Sequence, residues 1–270
     1  TRKLNQIYGL RPFKVYIHTS FGSAMHDVLQ TYLTVMYNDT IKKADELPLS
    51  NMLLHRMKHY YKEIVEDLGG EEISNQDEMQ EFYQHGLAII EWFVKKRAMY
   101  FSKKGYELVG IEVPIDYDID ENIKFIGYID VLIKDTVRDR YKIIDIKTST
   151  MGWNKWAKAD KNKTDQLLLY KYYYGEQNNI PLDKIDIEYF IVKRKIWENA
   201  DFPQRRIQTF IPANGKPSVN KVVKNIYSFI TEGFNGSEYN IDHIYKKEAS
   251  KKNCRFCEFN QTEHCDAGIK

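Results

Sequence analysis

Residues 141–150, YKIIDIKTST, set an aspartate and a lysine two positions apart inside a run of β-branched apolar residues. Side chains alternate along a strand, so Asp145 and Lys147 share one face. Buried charge is costly unless something pairs with it. The two are either a private ion pair or part of a working face. The preceding stretch, GYIDVLIKDTVRDR, reads as a partner strand and a polar turn. Centring that turn between Val137 and Arg138 opposes Val131 with Ile144, Leu132 with Ile143, and Asp130 with Asp145. Val-Arg is a poor two-residue turn, because neither residue favours positive φ, so a longer loop about the same centre is expected. One face of the hairpin then carries Ile129, Val131, Ile133, Ile144 and Ile146 as core. The other carries Asp130, Asp145 and Lys147. Opposed Cβ atoms lie roughly 4.5–5.5 Å apart, and like charges so placed destabilise a sheet. At ~5 Å and an effective dielectric of 20 the repulsion is about 3 kcal/mol. A hard cation reverses its sign, and carboxylate oxygens suit magnesium or manganese. The alternative is an Asp–Lys–Asp salt-bridge network.

The elements that must position this face follow from periodicity. Met25, Val28, Leu29, Tyr32, Leu33 and Met36 keep helical spacing over residues 22–37, with His26 beside the apolar stripe. Residues 49–67 read as a helix with Ser50 as its cap, and 76–102 as one long helix. Strands are expected near 106–119, 123–134 and 141–148, a helix at 164–177, strands near 185–194 and 205–211, and a helix near 217–232. This is mixed α/β in a single domain of 1–270: a mainly helical region (1–104), an α/β core (105–213), and a C-terminal helix with a cysteine-bearing tail (214–270).

Bulk properties exclude several classes. The 40 basic and 38 acidic residues leave a net charge of +2, so any basic surface must be local. No apolar run reaches membrane-spanning length, and the start lacks an apolar signal core. Three cysteines confined to the tail do not make a secreted disulfide scaffold, so a cytoplasmic protein is expected. The chain starts on Thr1, which reads as an internal start.

The motifs, in order, are Gly22 to His26 in GSAMH, Glu112 in GIEVPI, Gly127 to Asp130, Asp145 to Lys147, and Gln166 to Tyr170. This series resembles the PD-(D/E)XK nucleases, in particular the RecB-like exonuclease branch with its G-x-x-x-H helix and Q-x-x-x-Y helix. It is also similar to phage-encoded members with a large helical N-terminal half, for which the location would be the host cytoplasm. Each motif alone is weak; five in sequence are specific. The resemblance implies a restriction-endonuclease-like core: a small mixed sheet flanked by helices. It implies a Mg²⁺- or Mn²⁺-dependent deoxyribonuclease, an exonuclease on single strands or DNA ends in replication, recombination or repair. A structure-specific endonuclease and a catalytically silent nucleic-acid-binding protein are the alternatives.

Roles follow from the same resemblance. Asp130, Asp145, the Ile146 carbonyl and His26 are metal ligands, and Glu112 binds a metal directly or through water, with Glu107 competing for that role. Lys147 positions the attacking water, since adjacent carboxylates oppose the pKa depression a base would need. Gln166 and Tyr170, at i and i+4 on one helix face, contact the DNA backbone and the site.

Two further features carry chemistry. Between the active strand and the Gln166 helix, Lys155, Lys158, Lys161 and Lys163 interleave with Trp153 and Trp156. Cations track phosphates and aromatics stack on unpaired bases, a single-strand-binding pattern. A loop pinned to the body by its tryptophans is the bland alternative. VKRK (192–195) and QRR (204–206) extend the basic patch or blunt strand edges. In the tail, Cys254, Cys257 and Cys265 are spaced C-x2-C-x7-C, one ligand short of a metal site. Iron–sulfur members of the family carry three such cysteines and a fourth before the G-x-x-x-H helix; here that fourth would precede residue 1. A [4Fe–4S] cluster, zinc completed by His264 or another residue, and unligated thiols stay open.

Overall fold

The computed structural model describes residues 15–197, 199–240, 249–255, 257, 259–263, 265 and 268–269. They fall into two compact units. Tyr16–Ser228 forms the larger and holds a five-stranded sheet of order β1-β2-β3-β4-β5. The strands are β1 (Tyr106–Asp118), β2 (Lys124–Asp135), β3 (Arg140–Ser149), β4 (Ile185–Lys193) and β5 (Ile207–Phe210). β1–β2, β2–β3 and β4–β5 pair antiparallel, and β3–β4 parallel. The parallel step needs a crossover, supplied by α5 (Lys155–Ala159) and α6 (Lys161–Asn178).

Before the sheet come α1 (Ile17–Asn38), α2 (Ile41–Asp45), α3 (Leu49–Asp67) and α4 (Gln76–Lys96), and after it α7 (Lys216–Gly233). The apolar stripe of α1 is fully buried and packs with Leu53, Met57, Phe82, Ile89 and Phe93 of α3 and α4. That layer covers Val131, Ile133, Ile144, Ile146, Phe190 and Val192 on one sheet face. The other face, with Leu132, Ile143, Ile187, Tyr189 and Ile191, packs on Leu167, Leu168, Tyr173 and Tyr174 of α6 and Val219, Val222 and Val223 of α7.

The β2–β3 register is the one read from the sequence, Val131 with Ile144 and Leu132 with Ile143. The loop is longer than two residues: Asp139 takes the positive φ (52°), and Asp135 Oδ1 accepts from the amides of Val137 and Arg138. Three expectations are corrected. Ile129 joins the α6 face, because β2 leaves β3 just before it. Ser50 does not cap α3, whose N-cap is Pro48 with no side-chain bond. The 76–102 helix stops as α-helix at Lys96 and ends in a 3₁₀ turn, Arg97–Met99.

The second unit takes in the described residues from Phe229 onward. It holds a two-stranded ribbon of β6 (Phe234–Asn235) with β7 (Glu238–Tyr239), and α8 (Lys251–Cys254), capped by the Ser250 hydroxyl. Among the described residues no helix is long and apolar enough to cross a membrane.

Gly86 on α4 tests how tightly the helical layer is packed. A Cβ there would lie 2.4 Å from Leu53 Cδ2 and 3.2 Å from Phe21 Cε2. Alanine gains about 1 kcal/mol of helix propensity. Overpacking a filled core costs about 1–3 kcal/mol. Leu53 and Phe21 are both almost fully buried, so the second effect wins. Gly86→Ala is expected to lower the urea midpoint; a raised midpoint would mean that Leu53 has another rotamer to use.

Candidate metal centre

The site lies where β2 and β3 part. Their ladder ends at Val131 with Ile144; beyond it β3 pairs only with β4, and β2 only with β1. The next residues on each strand are Asp130 and Asp145. The ladder position expected to hold an Asp130–Asp145 pair is thus the first one left open. Asp130 fills it with its side chain: Oδ2 accepts from the Ile146 amide at 2.6 Å. Asp145 is 1% exposed, with Oδ2 2.7 Å from Lys147 Nζ. That contact is an ion pair without hydrogen-bond alignment, and Oδ2 has no hydrogen-bond partner among the described residues.

Helix α1 crosses close to β3. A Cβ on Gly22 would come within 3.3 Å of Thr148 Oγ1, so the glycine of G-x-x-x-H sets the approach distance. One turn on, His26 places Nδ1 3.6 Å from Asp130 Oδ2. Another turn on is Gln30, which the sequence reading missed. Its Nε2 donates to Glu112 Oε1 at 2.5 Å and to the Asp130 carbonyl at 3.1 Å. Gln30 follows His26 by four residues, and that i, i+4 spacing is the signal that would have found it.

Glu112 has φ 49°, the left-handed region that a non-glycine residue avoids. Such a backbone costs of order 1–3 kcal/mol and needs support. Its neighbours stay in the ladder, Ile111 with Val131 and Val113 with Ile129, and Gln30 grips its carboxylate. An earlier bulge skips Val109. Donor atoms of His26, Glu112 and Asp130 lie within 4.8 Å of one another. Glu107 pairs across to Lys134 and is not in this group.

From the opposite layer α6 supplies Gln166 and Tyr170. Lys147 Nζ donates to Gln166 Oε1 at 3.0 Å, and Gln166 Nε2 to the Tyr170 hydroxyl at 2.9 Å. Tyr170 closes on β2: a Cβ at Gly127 would sit 2.8 Å from its Cε1. The glycine of G-x-x-D is therefore needed by the tyrosine of Q-x-x-x-Y. Tyr173 and Tyr174 are core, as is most of Tyr170.

Burial dominates the electrostatics. It pushes Asp130 and Asp145 up to about 6; for Asp130 the Ile146 amide and Lys147 oppose the shift, and for Asp145 chiefly Lys147 does. Burial also lowers His26, leaving a neutral imidazole able to donate a lone pair. The His26 nitrogen and the carboxylate oxygens of Glu112 and Asp130 converge on one space, a donor set that fits a hard divalent cation; Asp145 lies outside that group of three.

The crossover residues divide. Trp153 is 8% exposed and packs against Tyr189 and Phe210, so its reading as a stacking platform is corrected: it is the pin. Trp156 is 73% exposed, with Lys155 Nζ 4.9 Å from its ring centroid. Lys161 and Lys163 are exposed and Lys158 partly so; Lys158 lies over Phe210 and Lys163 over Trp153. In the second unit Cys254, Cys257 and Cys265 are free thiols, Cys254 buried. His264 lies outside the described residues.

The sheet thus carries acids at a strand divergence, a lysine beside them and a histidine helix across them, an arrangement compatible with metal-dependent nuclease chemistry. The family model described as the PD-(D/E)XK nuclease superfamily matches residues 3–262, and the chain belongs to that superfamily. Among solved structures, one titled "Crystal structure of SSO0001" is similar over 100% of this chain and 95% of its own, at 12% identity and a TM-score of 0.35. A likeness that low carries no argument. No curated protein matches the chain.

Two outcomes follow. Asp130 and Asp145 bind protons more tightly folded than unfolded, where an aspartate titrates near 3.8. Their contribution to metal-free stability therefore grows as pH falls from 7 through about 6 and levels off below about 4. Urea melts at stepped pH should show this in wild type, and a flatter profile in Asp130→Asn. Separately, Mn²⁺ should raise the wild-type Tm at pH 7.5. Gln30→Ala should shrink that rise, and an undiminished rise would deny Gln30 a part in holding Glu112.

Proposed function

We propose that the chain is a DNA nuclease of the RecB-like branch, an exonuclease that hydrolyses phosphodiester bonds at ends or in single strands. The observation that carries this reading is the convergence of His26, Glu112 and Asp130 within 4.8 Å, with the buried Asp145–Lys147 ion pair on the adjoining strand. Asp130, Asp145, His26 and the Ile146 carbonyl would hold one or two Mg²⁺ or Mn²⁺ ions, with Glu112 binding directly or through water. The bound ion supplies charge neutralisation at the phosphate and acidification of the attacking water.

The chain's own groups do the positioning. Lys147, held between Asp145 and Gln166, orients the water and meets charge developing on the phosphate. Lys147 is thus a positioning group and not the base. Gln166 and Tyr170 line the path of the strand that enters. Trp156, Lys155, Lys161 and Lys163 extend it as a stacking and phosphate-tracking surface, with Lys158 beside them.

The same reading places the protein in the cytoplasm, in replication, recombination or repair. It takes Cys254, Cys257 and Cys265 as ligands of zinc or an iron–sulfur cluster, on spacing alone.

Digestion of linear and circular DNA with Mn²⁺, beside variants, tests the reading. Wild type should degrade linear strands and spare circles. Lys147→Ala should lose about 10²–10³ in rate, the scale of removing one preorganised stabiliser. Asp145→Ala should be inactive. Cleaved circles would make the chain an endonuclease, and wild type inert on every substrate would make it a silent binder.

A further inference from the structure

A second built pocket lies along the sheet from the metal centre. The β3–β4 ladder runs past Lys193: the Arg194 amide donates to the Ser149 carbonyl at 2.9 Å and the Lys195 amide to Thr150 at 2.7 Å. Arg194 is 7% exposed. Its guanidinium lies 3.8 Å from the centroid of the Phe82 ring, and Nη1 is 3.2 Å from both Glu81 Oε1 and His85 Nδ1. Its Nε is buried with no hydrogen-bond partner among the described residues. Glu81 is shared with Lys195, whose Nζ is 2.7 Å away. Arg206 donates to the Arg194 carbonyl at 2.6 Å and has no carboxylate partner among the described residues. Around them opens a cavity of about 340 Å³ lined by Glu81, His85, Lys195, Ile196 and Arg206.

The charges do not balance. Arg194 and Lys195 share the carboxylate of Glu81, Glu78 stands near His18, and Arg206 has no carboxylate among the described residues. Burial holds Arg206 below its usual value, and His85 and His18 are lowered by burial first and by Arg194 next. A partly buried guanidinium without an anion is poorly solvated, and a bound anion offsets that cost. Forked guanidinium groups match phosphate oxygens.

The location names the anion. Lys147 is level with Ile191 on β4, and Arg194 is three residues further along the strand, its side chain on the opposite, α4 face with Phe82. At about 3.3 Å per residue that is roughly 10 Å. On α1, His18 lies two turns before His26, with its ring edge-on to Phe82 at 4.9 Å. The connection from β4 to β5 also presents Trp197 and Phe202, 70% and 67% exposed, as faces for bases.

We propose that the pocket lined by Lys195 and Arg206, with Arg194 buried behind it, binds a phosphate of the nucleic-acid strand other than the scissile one. This rests on the nuclease reading for its ligand. A terminal phosphate monoester and an internal phosphodiester share the chemistry.

The test uses the full chain without metal, so that cleavage does not enter. Inorganic phosphate is titrated by calorimetry into wild type, Arg206→Gln and Lys195→Gln, with circular dichroism confirming that the variants fold. Wild type should bind, and each variant should bind about 10- to 100-fold more weakly, the range for losing a hydrogen bond to a charged group. No binding by wild type, or folded variants that bind as well as wild type, would overturn the proposal. Short single strands with a terminal phosphate or a terminal hydroxyl are then compared. A preference for the phosphate that the variants lose assigns the monoester, and equal loss on both strands assigns the diester. A pocket that fails while Mn²⁺-dependent cleavage survives leaves the nuclease reading standing. A pocket that binds in a chain that never cleaves leaves only the binding site.

Discussion

Two carboxylates that the fold has taken out of water set the terms for everything around them. Asp130 and Asp145 stand at the point where β2 and β3 separate, and burial pushes both up to about 6. The arrangement is costly while it holds no cation, since neither acid ionises easily and one Asp145 oxygen lacks a hydrogen bond among the described residues. The sheet sustains it from both sides. Asp130 takes over the ladder bond to Ile146, so the divergence leaves no orphaned amide there. The layer of α1 brings His26 and Gln30, and the layer of α6 brings Gln166 and Tyr170. Each approach is set by a glycine, Gly22 against Thr148 and Gly127 against Tyr170.

That geometry explains why the five short motifs occur together. They are contacts of one another. G-x-x-D provides both an acid and the bare backbone on which the tyrosine of Q-x-x-x-Y lies. Its glutamine receives the lysine of D-x-K, and the lysine is the neighbour of the second acid. Gln30 then joins the histidine helix to Glu112 on β1, and holds a residue whose backbone would otherwise favour another conformation. The interaction energy of such a network belongs to the set and not to single pairs.

Much of this was legible in the sequence because it depends on period. The hairpin register came from alternation about a polar turn, and α1, α3 and α6 from apolar spacing. The unread parts depend on breaks in period. Nothing in GIEVPI marks the left-handed backbone of Glu112 or the bulge at Val109, since both arise from how β1 must bend to meet β2. Ile129 changes layers because the strand leaves its neighbour, a tertiary event that local pattern does not record. Trp153 looked like a twin of Trp156, yet three residues decide whether an indole faces Tyr189 or solvent. Gln30 was overlooked because an amide near a helix stripe has no chemistry until its partners are in place. The basic runs VKRK and QRR were visible in the sequence, but their meeting at one cavity was not, because it depends on how the β4–β5 connection folds back.

The central claim is that these acids exist to hold a divalent ion. Anomalous diffraction from a crystal soaked in Mn²⁺ tests it most directly. The account predicts a strong peak among His26, Glu112, Asp130 and Asp145, absent from an Asp130→Asn crystal. An empty site at millimolar Mn²⁺, with Lys147 alone neutralising the two aspartates, would contradict it.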